Sequence, residues 1–142
     1  MYDSILVATD GSETASVAVE HAIDLADRLE ATLYGVAVLE TRTEYDNAIV
    51  DPDEVERHLR ERSETSLATL EERAEAADVP VETAVRVGVP HEEIVTYADD
   101  CGVDAIVVGS RGRSDFRGAL LGSTVDAVVR LATRPVLVVG DG

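Results

Sequence analysis

The residues best suited to chemistry are concentrated between positions 109 and 124, where glycine, hydroxyl and arginine side chains follow one another closely. The apolar run 104–108 precedes this segment and predicts a buried strand, and 125–129 follows it and predicts a helix. Glycine lets the backbone approach a ligand closely, and the first turn of a helix offers N–H groups and a partial positive charge. This combination predicts a binding site for an anion, of which a phosphate group is the simplest.

The arginines of this segment reverse the local charge of an acidic chain. The formal net charge is −17, and lysine is absent, so that all twelve basic residues are arginine. Arg111, Arg113 and Arg117 fall within seven positions, opposed only by Asp115. They can bind an anion, or they can neutralise acidic neighbours or a dimer partner. The overall acidity argues against nucleic acid or an acidic membrane as a partner. Together with the missing lysine it predicts a salt-adapted source, such as a halophilic archaeon.

Two common phosphate-binding motifs are excluded. A Walker loop requires Gly-Lys-Ser/Thr, which a chain without lysine cannot contain. A dinucleotide fingerprint would place G-x-G-x-x-G after the first strand, whereas that turn is Asp10-Gly11-Ser12. A receiver domain, which has a similar topology, is excluded as well. It would need a cluster of acidic residues at this turn and a lysine near the fifth strand, and this chain has neither.

Apolar strands alternate with amphipathic helices along the chain. We expect strands over 4–9, 32–39, 81–87, 104–108 and 134–139 and helices over 13–29, 52–77, 91–100 and 125–132. This β-α-β-α-β-α-β-α-β order predicts an α/β fold, a doubly wound five-stranded parallel sheet with four helices, in a single domain spanning 1–142.

Such sheets bind ligands beyond the carboxyl ends of their strands, where the strand order reverses. Two turns carry suitable polar residues, the one after the first strand (9–12) and the one after the fourth (109 onward). They become neighbours if the strand order is 3-2-1-4-5. We therefore expect this order.

The spacing Gly109-x-x-Gly112, nine residues and then Gly122-Ser123 resembles the G-2x-G-9x-G-[S/T] signature of the universal stress protein (UspA-like) family. The similarity extends over the whole chain, from the opening 5–12 to the end 134–139. The resemblance implies a Rossmann-like, adenine nucleotide alpha hydrolase-like fold. It also implies the ATP-binding branch of the family.

The resemblance further implies roles for matching positions. Three glycines would let backbone N–H groups reach phosphates and ribose, Ser123 and Thr124 would bond phosphate oxygens, and Val38 would pack against the base. Asp10, together with Thr9 and Ala8 at the end of the first strand, would line the adenine and ribose side. The implied cofactor-binding residues are Ala8, Thr9, Asp10, Val38, Gly109, Ser110, Arg111, Gly112, Arg113, Gly122, Ser123, Thr124 and Val125.

Several of these residues also have simpler explanations. Asp10 or Ser12 can cap the first helix, Ser123 can be an N-cap only, and Val38 can belong to the core. Many family members carry a hydroxyl at the position of Val125, which leaves the number of hydroxyl contacts open.

The function that the resemblance implies is binding of ATP, with or without Mg²⁺ or Mn²⁺, by a stress-response protein acting as a nucleotide-dependent switch. One alternative is a slow ATPase, and another is a dimeric scaffold that binds AMP or no nucleotide. Phosphoryl transfer needs a positioned base and a charge clamp. Only Asp115 and Asp126 lie near the predicted phosphates, so we assign no catalytic residue and no metal ligand.

We also expect a homodimer through Pro135 to Val139. This segment is apolar and would form a sheet edge, which invites pairing. The family commonly pairs this strand across a two-fold axis. No apolar run approaches the ~18–20 residues that span a bilayer. The amino terminus shows no basic region typical of a signal peptide, so we expect a cytoplasmic protein without a membrane partner.

Overall fold

The computed structural model describes residues 1–40, 52–111 and 121–140. The described elements are β1 (Ser4–Ala8), α1 (Glu13–Leu29), β2 (Thr32–Glu40), α2 (Pro52–Ala76), β3 (Val81–Gly88), α3 (Pro90–Cys101), β4 (Ala105–Gly109), α4 (Ser123–Leu131) and β5 (Val136–Val139). The strands form one parallel sheet in the order β3-β2-β1-β4-β5. This confirms the predicted doubly wound sheet, its strand order and its four helices.

The neighbouring strands β1 and β4, in the interior of the sheet, are buried on both faces because helices cover both sides of the sheet. All five residues of β4 are buried, and Ile5, Leu6 and Val7 of β1 have no exposed surface. Successive side chains of a strand point to opposite faces. Ile5 and Val7 pack with α1 and α2 in one cluster, whereas Leu6 packs with α3 and α4 in the other. An unbroken apolar run is therefore what a central strand requires.

Side chains of the turn after β1 hold the start of α1. Ser12 is the N-cap, and its Oγ accepts a hydrogen bond from the Ala15 N–H at 3.2 Å. Asp10 Oδ1 accepts from the Ser12 N–H at 2.9 Å. Between them Gly11 has φ of 80°, a conformation that favours glycine. Of the two candidate caps, Ser12 is the N-cap of α1, and Asp10 stabilises the turn before it.

Some predicted boundaries were wrong by one or two residues. Helix α4 begins at Ser123 rather than Val125, because Gly122 is its N-cap in an extended conformation. Strand β1 ends at Ala8, so Thr9 belongs to the turn. Strand β5 begins at Val136, after Pro135. The predicted polar connection 40–50 lies outside the described residues except for Glu40, which ends β2.

The carboxyl edge of the sheet is stepped. Strand β1 pairs with residues 32–36 of β2, but β2 continues for four more residues. These residues, Ala37–Glu40, pair with Val85–Gly88 of β3. The β2–β3 ribbon therefore rises above the end of β1. In the described ranges, no helix is both long enough and apolar enough to cross a membrane.

Candidate functional site

A cavity of about 430 Å³ lies at the stepped carboxyl edge of the sheet, beyond the ends of β1, β2 and β4. Small-molecule sites typically enclose roughly 300–1,000 Å³. Nine of the residues assigned to nucleotide binding line it, namely Ala8, Thr9, Asp10, Val38, Gly109, Arg111, Ser123, Thr124 and Val125. The two polar turns and the start of α4, which are far apart in sequence, thus share one cavity.

The other four assigned residues are placed differently. Ser110 and Gly122 do not line the cavity, but the Gly122 N–H donates to the Ser110 carbonyl at 2.8 Å. Ser110 in turn donates its N–H to the Val139 carbonyl of β5 at 2.8 Å. These bonds fix the end of β4 and the beginning of α4 beside each other. Gly112 and Arg113 lie outside the described residues.

The amino terminus of α4 forms the wall of the cavity nearest β4. Its first intrahelical bond runs from the Asp126 N–H to the Gly122 carbonyl at 2.9 Å. Ser123, Thr124 and Val125 precede that bond and form the first turn, where the N–H groups of an α-helix point out of the helix end. Gly122 has no side chain with which to cap them. Because the helix dipole adds partial positive charge at the same place, this wall favours an anion.

Gly109 has a steric role that its sequence context did not reveal. A Cβ atom at this position would lie 2.9 Å from Thr14 Cγ2 and 3.0 Å from the Thr14 carbonyl oxygen. The end of β4 therefore packs directly against the first turn of α1. Glycine here allows two backbones to approach, and this approach brings the β1 turn and the β4 end to the same cavity.

The turn after β1 forms the middle of the cavity and is held by several hydrogen bonds. Thr9 is buried, donates its N–H to the Val36 carbonyl at 2.9 Å, and accepts from the Gly11 N–H at 3.2 Å through Oγ1. The side chain of Asp10 is exposed at the cavity. This turn is therefore set in place by bonds on both sides of Asp10.

The remaining lining residues were not predicted. They come from β2, from β4 and from three helices: Ala15, Val36, Leu39, Glu40, Leu59, Arg62, Ser63, Pro90, Ile94 and Val108. Apolar side chains dominate near the β2–β3 ribbon, which suits a flat aromatic ring. Leu59 shares its helical spacing with the buried Leu67 and Leu70, a pattern typical of an inward face that does not by itself indicate a ligand.

The wall formed by α3 is held to β3 through Arg86. Its Nε donates to Glu93 Oε1 at 3.1 Å, and its Nη2 donates to Asp100 Oδ2 at 3.3 Å. The guanidinium also lies 5.4 Å from the centre of the Tyr97 ring. Hydrogen bonding to Glu93 is the main cause that raises the pKa of Arg86. These contacts hold α3 against β3 along its length, and Pro90 and Ile94 in its first half line the cavity.

Within the described parts of the chain, no histidine or cysteine lines the cavity. The same residues contain no group of three or more His, Cys, Asp or Glu side chains that could hold a metal ion. The charged residues that line it are Asp10, Glu40, Arg62 and Arg111. Arg111 follows β4, on the side of the α4 amino terminus, whereas Glu40 and Arg62 belong to the end formed by β2 and α2, where the other lining side chains are mainly apolar. A mainly apolar end and a polar end with its own cation suit an amphiphilic anion.

Comparison with known proteins supports the resemblance drawn from the glycine spacing. The universal stress protein family model matches residues 1–140. Universal stress protein MJ0577 of Methanocaldococcus jannaschii is 33% identical over 98% of this chain and 95% of its own length. Its solved structure superposes with a TM-score of 0.88 over 99% of this chain and 96% of that chain.

Two further similar proteins are also universal stress proteins. Universal stress protein YxiE of Bacillus subtilis is 33% identical over 98% of this chain and 99% of its own length. A solved universal stress protein in complex with cAMP is 29% identical, with a TM-score of 0.72 over 99% of this chain and 98% of that chain. The chain belongs to the universal stress protein family.

Proposed function

We propose that the protein binds an adenine nucleotide, ATP in the first place, and acts as a nucleotide-dependent regulatory switch in a stress response. The observation that carries the proposal is the convergence of the α4 amino terminus and the β1 turn on one cavity of about 430 Å³. A relative of the same fold in complex with cAMP supports the choice of an adenine nucleotide.

The two ends of the cavity suit the two ends of such a ligand. The base would lie against Val38 and Ile94 at the β2–β3 ribbon, and Asp10 would face the ribose. The phosphates would lie at the first turn of α4, within reach of Ser123 and Thr124, with Arg111 nearby. The proposal adds Gly112 and Arg113 to the phosphate end on the strength of the family signature.

A divalent ion, Mg²⁺ or Mn²⁺, would be held mainly by the phosphate oxygens. This assignment follows because the described residues offer no cluster of protein ligands. Mg²⁺ commonly binds through substrate phosphates and retained waters.

Slow ATP hydrolysis is the alternative within the same site. Rapid phosphoryl transfer needs a base positioned at the attacking water and a charge clamp. Among the described lining residues, the carboxylates belong to Asp10 and Glu40, at the ends of β1 and β2 rather than at α4. The proposal therefore gives the site a binding role and assigns no catalytic residue.

The proposal includes a homodimer formed through Pro135 to Val139. Strand β5 is at the edge of the sheet, and Leu137 is 45% exposed. Val129 and Leu131 of α4 add further exposed apolar surface on the neighbouring helix. Light scattering at micromolar concentration and high salt tests it: a monomer would contradict the dimer. A Leu137→Glu variant should dissociate the dimer while keeping the fold.

Composition, rather than the cavity, supports the remaining parts of the proposal. A halophilic source and the exclusion of nucleic acid and acidic membranes as partners are both argued from a net charge of −17 without lysine. The proposal also retains the cytoplasmic location expected from the sequence. Denaturation at several KCl concentrations tests the salt adaptation. A stability that does not rise with salt would contradict it.

Two measurements test nucleotide binding. Mass spectrometry of small molecules released from the purified protein identifies the bound nucleotide, and calorimetry with ATP, ADP, AMP and cAMP, with and without Mg²⁺, ranks them. The variants Gly112→Val and Gly122→Val should abolish binding. Gly140→Val is the matched control, since no heavy atom of the described residues lies within 4 Å of a Cβ built there. Undiminished ATP affinity in both site variants would refute the site.

The same measurements distinguish the ATP-dependent switch from its two alternatives, the dimeric scaffold and the slow ATPase. Preference for AMP, or no measurable binding of any nucleotide, would favour the dimeric scaffold. Release of phosphate from ATP at a rate abolished by Gly122→Val would favour the slow ATPase.

A further inference from the structure

Helix α2 contributes a wall of the cavity that the glycine signature does not assign. Leu59, Arg62 and Ser63 line the cavity. Residues three and four positions apart lie on one face of a helix, so these side chains share a face with Leu67 and Leu70 further along. A single face of α2 therefore runs from the sheet core to the cavity.

The two halves of this face are covered to different extents. In the second half, Leu67, Leu70 and Ala74 are 4%, 1% and 0% exposed. In the first half, Val55 and Leu59 are only half-buried. The helix has 25 residues and is about 37 Å long, whereas the nine residues of β2 span about 30 Å. The first turns of α2 thus face the cavity rather than the core.

Hydroxyl groups weaken α2 at the junction between the two halves. Thr65 and Ser66 donate from their side chains to the carbonyls of Glu61 and Arg62, at 2.9 Å and 3.0 Å. Thr69 donates to the Thr65 carbonyl at 3.1 Å. Such bonds to the fourth preceding carbonyl slightly destabilise and often bend a helix. The first half of α2 can therefore respond to its surroundings separately from the second.

The position of α2 shows which part of a ligand it faces. Helix α2 packs against β2 and β3, whereas α4 follows β4. Strand β1 separates β2 from β4, so these strands are about 10 Å apart at a spacing of about 4.8 Å. Leu59 and Arg62 therefore lie at the end of the cavity opposite the α4 amino terminus, beside the β2–β3 ribbon.

We propose that the first half of α2 is part of the binding site, contacts the base of the nucleotide, and is stabilised when the nucleotide binds. This inference rests on the proposed nucleotide-binding function. Leu59 packs against the base, and the guanidinium of Arg62 stacks on it or bonds its edge. A ligand that contacts only the ordered helix raises the stability of that segment by mass action.

Hydrogen exchange tests the stabilisation. Saturating ATP should slow exchange of the amides of residues 53–66, while those of 67–76 stay unchanged because this half is already buried. Unchanged exchange in 53–66, together with ATP binding seen by calorimetry, would overturn the inference and leave the proposed function intact.

Affinities for ATP and adenosine test the contact itself. Leu59→Ala and Arg62→Gln should each weaken both ligands by about the same factor, roughly tenfold. Arg60→Gln is the matched control, because Arg60 is an exposed arginine of the same helix that does not line the cavity. Its affinities should equal those of the unmodified protein. Ser123→Ala, at the phosphate end, should weaken ATP but not adenosine.

Four outcomes separate this inference from the proposed function. Unchanged affinities in both α2 variants would overturn the inference, and so would a loss confined to ATP, which would place α2 at the phosphates. If the unmodified protein binds neither ATP nor adenosine, the proposed function fails and this inference fails with it. If Gly122→Val abolishes binding while both α2 variants bind normally, only this inference fails.

Discussion

Replacing Gly109 by alanine should destabilise the protein through a backbone collision. The new Cβ would lie 3.0 Å from the Thr14 carbonyl oxygen and 3.1 Å from its carbonyl carbon, whereas ordinary contact begins at 3.4 Å. The first turn of α1 must therefore retreat by about 0.4 Å, and overpacking of this kind typically costs roughly 1–3 kcal/mol. For a chain of 142 residues, about 2 kcal/mol corresponds to a fall in Tm of about 7 °C.

Thermal and chemical denaturation at constant salt measure this effect. Gly140→Ala is the control and should change the free energy of unfolding by less than about 0.5 kcal/mol. Equal stability of the Gly109→Ala and Gly140→Ala variants would refute the reasoning. Adding Thr14→Ser removes the methyl group but keeps the carbonyl. Full recovery in that double variant would show that the methyl group, rather than the backbone, was the obstacle.

Two further predictions concern the helix layer formed by α3 and α4. Arg134 donates to the Ala98 carbonyl and, at 2.8 Å, to Asp99, so Arg134→Gln should cost about 1–2 kcal/mol by urea denaturation. Arg130→Gln breaks only an exposed pair with Asp126 and should cost less than about 0.5 kcal/mol; equal losses would contradict the argument. Burial, followed by hydrogen bonding to Cys101, raises the pKa of Tyr97 above its usual value. The unfolded chain then loses this proton at lower pH than the folded protein, so stability should fall as pH rises above about 10. Tyr97→Phe should flatten that fall, and an unchanged slope would contradict the prediction.

The sheet was predictable because its strands differ in their apolar pattern. The unbroken apolar runs of β1 and β4 are typical of burial on both faces, and the alternation of polar and apolar residues in 81–87 is typical of an edge strand, which β3 is. Strand order followed from placing the two polar turns together. The turn residues and the start of α4 were consequently expected at one cavity, and the structure brings nine of the assigned residues there.

The remaining features depend on contacts between distant parts of the chain. The conflict between a side chain at Gly109 and Thr14 is invisible in a sequence because the two residues are 95 positions apart. Leucine occupies the inward face of α2 both where the helix packs on the sheet and where it lines the cavity. The sequence pattern therefore places Leu59 on an inner face of the helix, but it does not distinguish the cavity from the core. Gly122 caps α4 through its extended backbone, which moved the helix start two residues earlier than the apolar pattern indicated.

The stepped edge of the sheet makes the two ends of the cavity separable for protein design. The height of the β2–β3 ribbon above β1 sets the depth of the apolar end, whereas the end that the proposed function assigns to phosphates depends on β4 and α4. Each added residue would lengthen the ribbon by about 3.3 Å. Residues would have to be added in pairs to both strands, because a single insertion turns every later side chain to the opposite face. Under the proposed function, a family built on this plan can change which base it accepts while keeping one end for phosphates.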